Sequence, residues 1–320
     1  MPGISASATA NQNCGKDPAL FLGSPATGRI ERKAKRQMIP YWLKSVVRRS
    51  GFDVVRRSND AVLQELLEIY RHLRLAPNDT LQWEDRLPIL SSWSHLRHLL
   101  REQAIDLIID VGANVGQFGK TVRRLGYTGD IVSFEPLSAA RAALESAAAG
   151  DPRWVVRPEA LGRQRSRGTL QIYANSAFSS LNTLNGLGRE RFGAQVEAVG
   201  LEAVDIVPLD SLLGAIAARN SRRILLKTDT QGYDLEVLAG AVETLKDAAA
   251  VLSEASTTPI YEDATLLPVL VRNLERKGFA LSGVFPIAHD KPPGLTLLEL
   301  DCYFVRTVQA KRERAVGEPR

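Results

Sequence analysis

The stretch 105-IDLIIDVGANVGQFGKTVRRLG-126 decides the fold. Ile105 to Val111 is an apolar run interrupted only by Asp106 and Asp110. That is the pattern of a strand buried on both faces, as in a parallel sheet. Gly112, Gly116 and Gly119 follow as a turn. Val115, Phe118, Val122 and Leu125 then recur at helical spacing, and Gly126 stands where a helix C-cap glycine belongs. Strand, glycine turn and helix together present backbone N–H groups and a positive helix end to a ligand. Glycines let the main chain approach that ligand closely.

The spacing of the turn selects among ligands. A dinucleotide fingerprint reads G-x-G-x-x-G. Here the order is Gly112-x-x-x-Gly116-x-x-Gly119, with Asp110 two residues before the first glycine. This D-x-G-A-N-x-G pattern resembles the first motif of S-adenosylmethionine-dependent methyltransferases. The next short strand, Ile131 to Phe134, ends in Glu135 and Pro136. A ribose-binding acid belongs at that distance, and its two carboxylate oxygens can accept both ribose hydroxyls.

Outward from this unit, 320 residues suffice for one large domain with an N-terminal extension. At 44% hydrophobic and 24% charged residues, a packed core is expected. The net charge of +5 is concentrated between Arg29 and Arg57, which leaves the rest nearly neutral. Two cysteines, Cys14 and Cys302, stand far apart with no C-x-x-C or Cys/His cluster. No structural disulfide or zinc site is expected, and the usage fits a reducing, cytoplasmic compartment. No apolar run reaches membrane-spanning length, and the N-terminus lacks the charged-then-apolar order of a signal peptide.

The expected domain organisation is a disordered segment over 1–28, a basic and helical extension over 29–103, a catalytic domain over 104–308 and a charged tail over 309–320. Within 29–57 the basic residues interleave with Ile39, Tyr41, Trp42 and Val46, so a weak contact with an anionic membrane surface competes with a helix packed on the domain. No nucleic-acid-binding signature accompanies the charge. Helices are expected over Ala61–Leu75 and Trp83–Gln103. His95 and His98 are spaced to share a metal, but no third ligand accompanies them.

Beyond Glu135, Trp154 to Val156 reads as a third strand and Pro158 to Gly162 as a turn bordering the crevice. Gly168 to Ala174 alternates like a hairpin strand, and Ser176 to Leu181 is a small-polar loop that either covers a ligand or is an ordinary surface turn. Val204 to Pro208 reads as an edge strand, with Asp210 or Ser211 capping a short helix. Ile224 to Leu226 is a buried strand ending in Lys227 and Asp229, which the period of two points to one side. Asp234 opens a helix with Leu235, Leu238, Val242 and Leu245 on its core face. Ala250 to Leu252 is another strand, ending in Ser253 and Glu254. Phe279 to Ile287 and Leu297 to Arg306 are two final strands in an antiparallel hairpin.

Taken together, Asp110-Val-Gly-Ala-Asn-Val-Gly116, Phe134-Glu135-Pro136, Ala160-Leu161-Gly162, Ser179-Ser180-Leu181, Pro208 to Leu212, Lys227-Thr-Asp229-Thr-Gln-Gly232, Glu254 and Asp301 to Phe304 are similar to the FkbM family of O-methyltransferases. The resemblance covers roughly residues 106–306. It implies an α/β class I methyltransferase (Rossmann-like) fold: a seven-stranded, mostly parallel sheet with an antiparallel edge hairpin, preceded by N-terminal helices. It implies S-adenosyl-L-methionine as cofactor and transfer to a hydroxyl of a small-molecule or glycan acceptor, such as a sugar, glycolipid or polyketide. Gly112, Ala113, Asn114 and Gly116 would hold the methionine part, with Asp110 beneath, either meeting the ammonium or orienting the loop. Glu135 and Pro136 would meet the ribose, and Ala160 and Leu161 the adenine. Asp229 is the first candidate base, Lys227 its partner, and Glu254 the second; no metal is assigned.

Two other readings compete. A short-chain oxidoreductase needs Tyr-x-x-x-Lys, and no tyrosine here has a lysine four residues on. A non-catalytic nucleotide-binding or membrane-surface scaffold on the same fold is distinguished by whether Glu135 and Asp229 matter once cofactor is bound.

Overall fold

The structure is a computed structural model that describes residues 83–216, 222–290 and 296–307. The expectations for 1–28, the basic segment 29–57, the helix at 61–75 and the tail from 309 lie outside the described residues.

The first described element is α1 (Trp83–Glu102), whose Leu90, Leu96 and Leu100 are buried. Then come β1 (Leu107–Val111), α2 (Gln117–Arg124), β2 (Asp130–Phe134), α3 (Ser138–Ala148) and β3 (Trp154–Arg157). Strands β4 (Ala160–Leu161) and β5 (Ser166–Tyr173) lead through α4 (Gly186–Phe192) to β6 (Ala198–Val207) and α5 (Leu213–Ile216). The last part is β7 (Ile224–Thr228), α6 (Asp234–Ala239), α7 (Val242–Asp247), β8 (Ala248–Ser256), α8 (Leu267–Glu275), β9 (Phe279–His289) and β10 (Leu297–Arg306).

Seven strands form one sheet in the order β3-β2-β1-β7-β8-β10-β9. Neighbours from β3 to β8 are parallel, and β10 runs antiparallel between β8 and β9. This is the expected class I methyltransferase arrangement, hairpin included. The order reverses at β1, which pairs with β2 on one side and β7 on the other. In an open α/β sheet such a reversal opens a crevice at the carboxyl ends of the strands.

The sheet is buried on both faces, as the unalternating apolar runs require. Leu107, Ile109, Val111, Phe134 and Leu226 pack on one side, with α6, α7 and α8. Ile108, Ile131, Leu225, Leu252 and Tyr303 pack on the other, with α1 and α2. Each large apolar side chain so buried contributes about 1.5–3 kcal/mol.

Several expectations are corrected. Residues 160–161 form a strand, not a turn, because they pair in parallel with β6 in a second sheet ordered β4-β6-β5. Strand β6 is therefore central to that sheet rather than an edge. The helix expected from Asp234 to Leu245 breaks at Gly240. A Cβ there would stand 2.0 Å from the Gly162 carbonyl oxygen, so the chain turns where it crosses the second sheet. Val242 is consequently exposed, and Val237 takes its place in the core. Asp210 caps α7, accepting from Glu243 and Thr244 N–H at 2.8 Å, rather than a helix of its own. Glu254 lies inside β8, which continues two residues further to pair with β10.

Candidate active site

The glycine bend is built to let two strands' ends approach each other. Gly112 has φ +74°, and a Cβ on it would stand 1.9 Å from the Asp229 carbonyl oxygen. Only glycine tolerates both the left-handed backbone and that contact. At Gly119 the reason differs: a Cβ there would enter the Trp154 ring at 2.1 Å, so this glycine lets α2 lie close on β3.

From the bend, Asn114 N–H donates to Glu135 Oε2 at 2.7 Å, while Leu137 N–H donates to Oε1 at 2.9 Å. The glycine bend of β1 and the acid ending β2 thus meet, as the sequence predicts. Each carboxylate oxygen keeps acceptor capacity for a ligand hydroxyl. Burial raises the Glu135 carboxyl above its usual range, partly offset by the two N–H donors and by Lys227.

Asp110 and Gly116 stand behind the cavity wall rather than in it. Asp110 is fully buried, accepts from Ser133 Oγ at 3.1 Å and pairs with Lys227 Nζ at 3.1 Å. Lys227 in turn donates to the Gly112 carbonyl at 3.2 Å and lies 3.4 Å from Asp229 Oδ2. Asp110 therefore acts on the loop through Lys227. Gly116 begins α2 at φ +85°, with Leu144 and Trp154 beneath it.

Beyond Lys227 the sheet edge becomes acidic. Glu254 pairs in register with Asp301, and Asp301 with Phe285. Paired positions share a face, so Glu254, Asp301 and Phe285 form a row, which Asp229 and Gly112 extend from just beyond the last paired residues Thr228 and Val111. Gln231, held at φ +54°, donates its Nε2 to Asp229 Oδ1 and to Glu254 Oε2, each at 3.0 Å. Its Oε1 lies 2.9 Å from the buried Tyr261 hydroxyl.

The charges in this row are set by crowding. Burial would raise Asp229, but the Lys227 charge and the hydrogen bonds of Glu254 and Gln231 hold it below the usual carboxylate range. Burial, then the charges of Glu299 and Asp229, push Glu254 well up. In the same way Glu299 and Asp301 are each pushed up to about 7, and Asp234 to about 6. The two neighbours are thus driven in opposite directions, so Asp229 gives up its proton more readily than Glu254.

A cavity of about 460 Å³ runs along this row. Gly112, Ala113, Asn114, Glu135, Pro136, Ala160, Leu161, Lys227, Asp229 and Glu254 all line it, so every sequence-predicted site residue except Asp110 and Gly116 meets there. The loop carrying Ser176 to Leu181 closes one side, and Ser176 Oγ donates to Asn114 Oδ1 at 2.9 Å. Among the described residues Lys227 is the sole cation in the lining, against Glu135, Glu159, Asp229, Glu254 and Asp301. His95 is spent elsewhere, 3.1 Å from Ser282 Oγ and edge-on to Tyr303. No cluster of metal-ligating side chains occurs among the described residues, and no helix there is long and apolar enough to cross a membrane.

The model of the methyltransferase FkbM domain matches residues 110–281, more than half of the chain. The chain belongs to the FkbM methyltransferase family. No curated protein matches it. Solved structures similar to this FkbM chain include magnesium protoporphyrin IX methyltransferase of Synechocystis PCC 6803 with bound S-adenosylmethionine, at 10% identity and TM-score 0.39 over 82% of this chain and 97% of that one. Another is fibrillarin of Aeropyrum pernix with S-adenosyl-L-methionine, at 13% identity and TM-score 0.34 over 62% and 66%. A third is an O-methyltransferase from neocarzinostatin biosynthesis with S-adenosyl-L-homocysteine and 1,4-dihydroxy-2-naphthoic acid, at 13% identity and TM-score 0.32 over 76% and 69%.

Sequence reasoning missed Gln231, Tyr261 and Asp301 as site residues of this FkbM domain. Asp301 and Gln231 stood inside quoted motifs without a role. Their signal was weak because, apart from Asp229 beside Gln231, their partners lie 23 to 209 positions away.

Proposed function

We propose that this methyltransferase uses S-adenosyl-L-methionine and transfers its methyl group to a hydroxyl oxygen. The observation that carries the reading is the 2.7 Å meeting of Asn114 N–H and the Glu135 carboxylate at the wall of an acid-rich cavity. The donor set fits such a cofactor. A carboxylate with free acceptor capacity suits a ribose diol, Ala160, Leu161 and Phe134 offer an apolar bed for a base, and surplus negative charge suits a cation. The cofactor supplies a methyl carbon on a positively charged sulfur.

The chain's own task is mainly placement: the acceptor oxygen must be held in line with that carbon. Asp229, kept ionised by Lys227, receives the acceptor's proton. Glu254, protonated, hydrogen-bonds Asp229 and keeps a second buried charge out of the pocket. Gln231 fixes both carboxyls from one side chain. On this reading Asp229→Asn binds the cofactor with little change but transfers methyl about 10²–10⁴-fold more slowly. Equilibrium binding and single-turnover transfer from methyl-labelled cofactor separate the two effects. Transfer at the unaltered rate would remove Asp229 from the chemistry.

A further inference from the structure

The cavity has two chemically different halves. Its β2–β1 half holds the glycine bend, Glu135 and the covering loop. Its other half lies over β8, β10 and β9, two to four strands from β1. At about 4.8 Å per strand, that is roughly 10–19 Å from the bend. Here the walls are Trp93 and Ile89 of α1, Phe118 of α2, and Phe285 and Ile287 of β9. The rings of Trp93 and Phe118 lie 6.2 Å apart. Ile89 and Ile287 keep 36% and 49% of their surface exposed while lining the cavity, so its rim on this side is apolar.

The polar groups on this side are confined to the strand ends, where Glu254 and Asp301 line the cavity beneath the apolar walls. Asp301 faces the cavity, and its Oδ2 accepts a long bond of 3.4 Å from Ser92 Oγ. Ser92 itself is 2.8 Å from Tyr303 Oη. A free sugar brings more hydroxyls than these two carboxyls can satisfy, and those set against the rings would lose water without a matching partner. An apolar body would instead gain from covering these rings and the two rim isoleucines.

Resting on the methyltransferase reading above, we propose that the half of the cavity between α1 and the β9–β10 hairpin is the acceptor subsite, and that it takes an alcohol or phenol on an apolar, ring-bearing body. Asp301, in its protonated form, donates a hydrogen bond to the acceptor oxygen and holds it over the row, which leaves the oxygen's own proton free to point toward Asp229. The oxygen then bonds to the methyl carbon as the carbon–sulfur bond breaks, the electron pair stays on sulfur, and the hydroxyl proton passes to Asp229. Burial and then the charge of Asp229 push the Asp301 carboxyl up to about 7, toward the protonated form that can donate to that oxygen.

Calorimetry on the full chain loaded with S-adenosyl-L-homocysteine tests this with two probes, 4-phenylphenol and D-glucose. The subsite binds 4-phenylphenol and not glucose. Ile287→Asp, a change at a half-exposed position, weakens 4-phenylphenol at least tenfold and leaves S-adenosyl-L-homocysteine within twofold. Trp93→Ala does the same from the opposite wall. Glucose binding, or no 4-phenylphenol binding by protein that takes S-adenosyl-L-homocysteine, overturns the subsite. Failure to take S-adenosyl-L-homocysteine at all would instead count against the cofactor assignment.

Discussion

The two ends of one cavity are built by opposite means. At the β2–β1 end the polar contacts are backbone groups on a single carboxylate: Asn114 and Leu137 N–H on Glu135. The bend itself is tied by Gly112 and Ala113 N–H to the Phe134 carbonyl. At the β8–β10 end the contacts are side chain to side chain, with Asp229, Glu254, Glu299 and Asp301 sharing too few cations. Backbone donors are fixed by the fold and do not titrate, so at the first end only the Glu135 carboxyl responds to pH. Side-chain-built sites titrate, and their geometry depends on where the protons are. On the proposed function, the first end recognises an unvarying cofactor and the second handles the proton.

The comparison breaks most visibly at Gly112. Gly112→Ala puts a methyl on the Asp229 carbonyl and forces a positive φ on alanine. The expected outcome is loss of detectable cofactor binding together with a cooperative unfolding midpoint lowered by several degrees, read by calorimetry and thermal melting.

Next in size is Lys227→Met, which leaves Asp110 buried without its cation. Breaking a buried pair from one side costs about 3–5 kcal/mol. Chemical denaturation should show that loss, and Asp110→Asn in the same chain should restore part of it. An unchanged denaturation midpoint would mean that Lys227 is not what joins the two ends.

The pH dependence sharpens the contrast more modestly. Glu299 and Asp301 at about 7 and Asp234 at about 6 bind protons more tightly folded than unfolded. The unfolded chain therefore carries fewer protons between pH 4 and 7, and stability falls as pH rises through that window. Because these acids are coupled, a total of roughly 2–4 kcal/mol is expected between pH 5 and pH 8, well below the sum of separate shifts. Asp301→Asn should flatten part of the slope. A protein more stable at pH 8 than at pH 5 would contradict the crowding.

Legibility in the sequence follows the same division. The glycine bend, Glu135 and the Lys227–Asp229 pair lie within local strand-to-turn patterns, so spacing alone announces them. The second strand of the hairpin is also plain in sequence over Leu297 to Arg306, where Glu299 and Asp301 interrupt a largely apolar stretch. Its insertion between β8 and β9, which sets Asp301 beside Glu254, is a topological fact with no local signal. Gln231 is similar: its role comes from a left-handed backbone and from Tyr261, 30 positions on. The reading of Ala160 and Leu161 as a turn erred because two residues make too short a strand for periodicity to show.

The most direct test is calorimetric titration of S-adenosyl-L-homocysteine into the wild-type chain and Glu135→Ala. Loss of the charged acceptor should weaken binding by about 1.5–3 kcal/mol, roughly 10- to 150-fold. Equal affinity in the two proteins would mean that the bend and the second strand's acid do not hold one nucleoside between them.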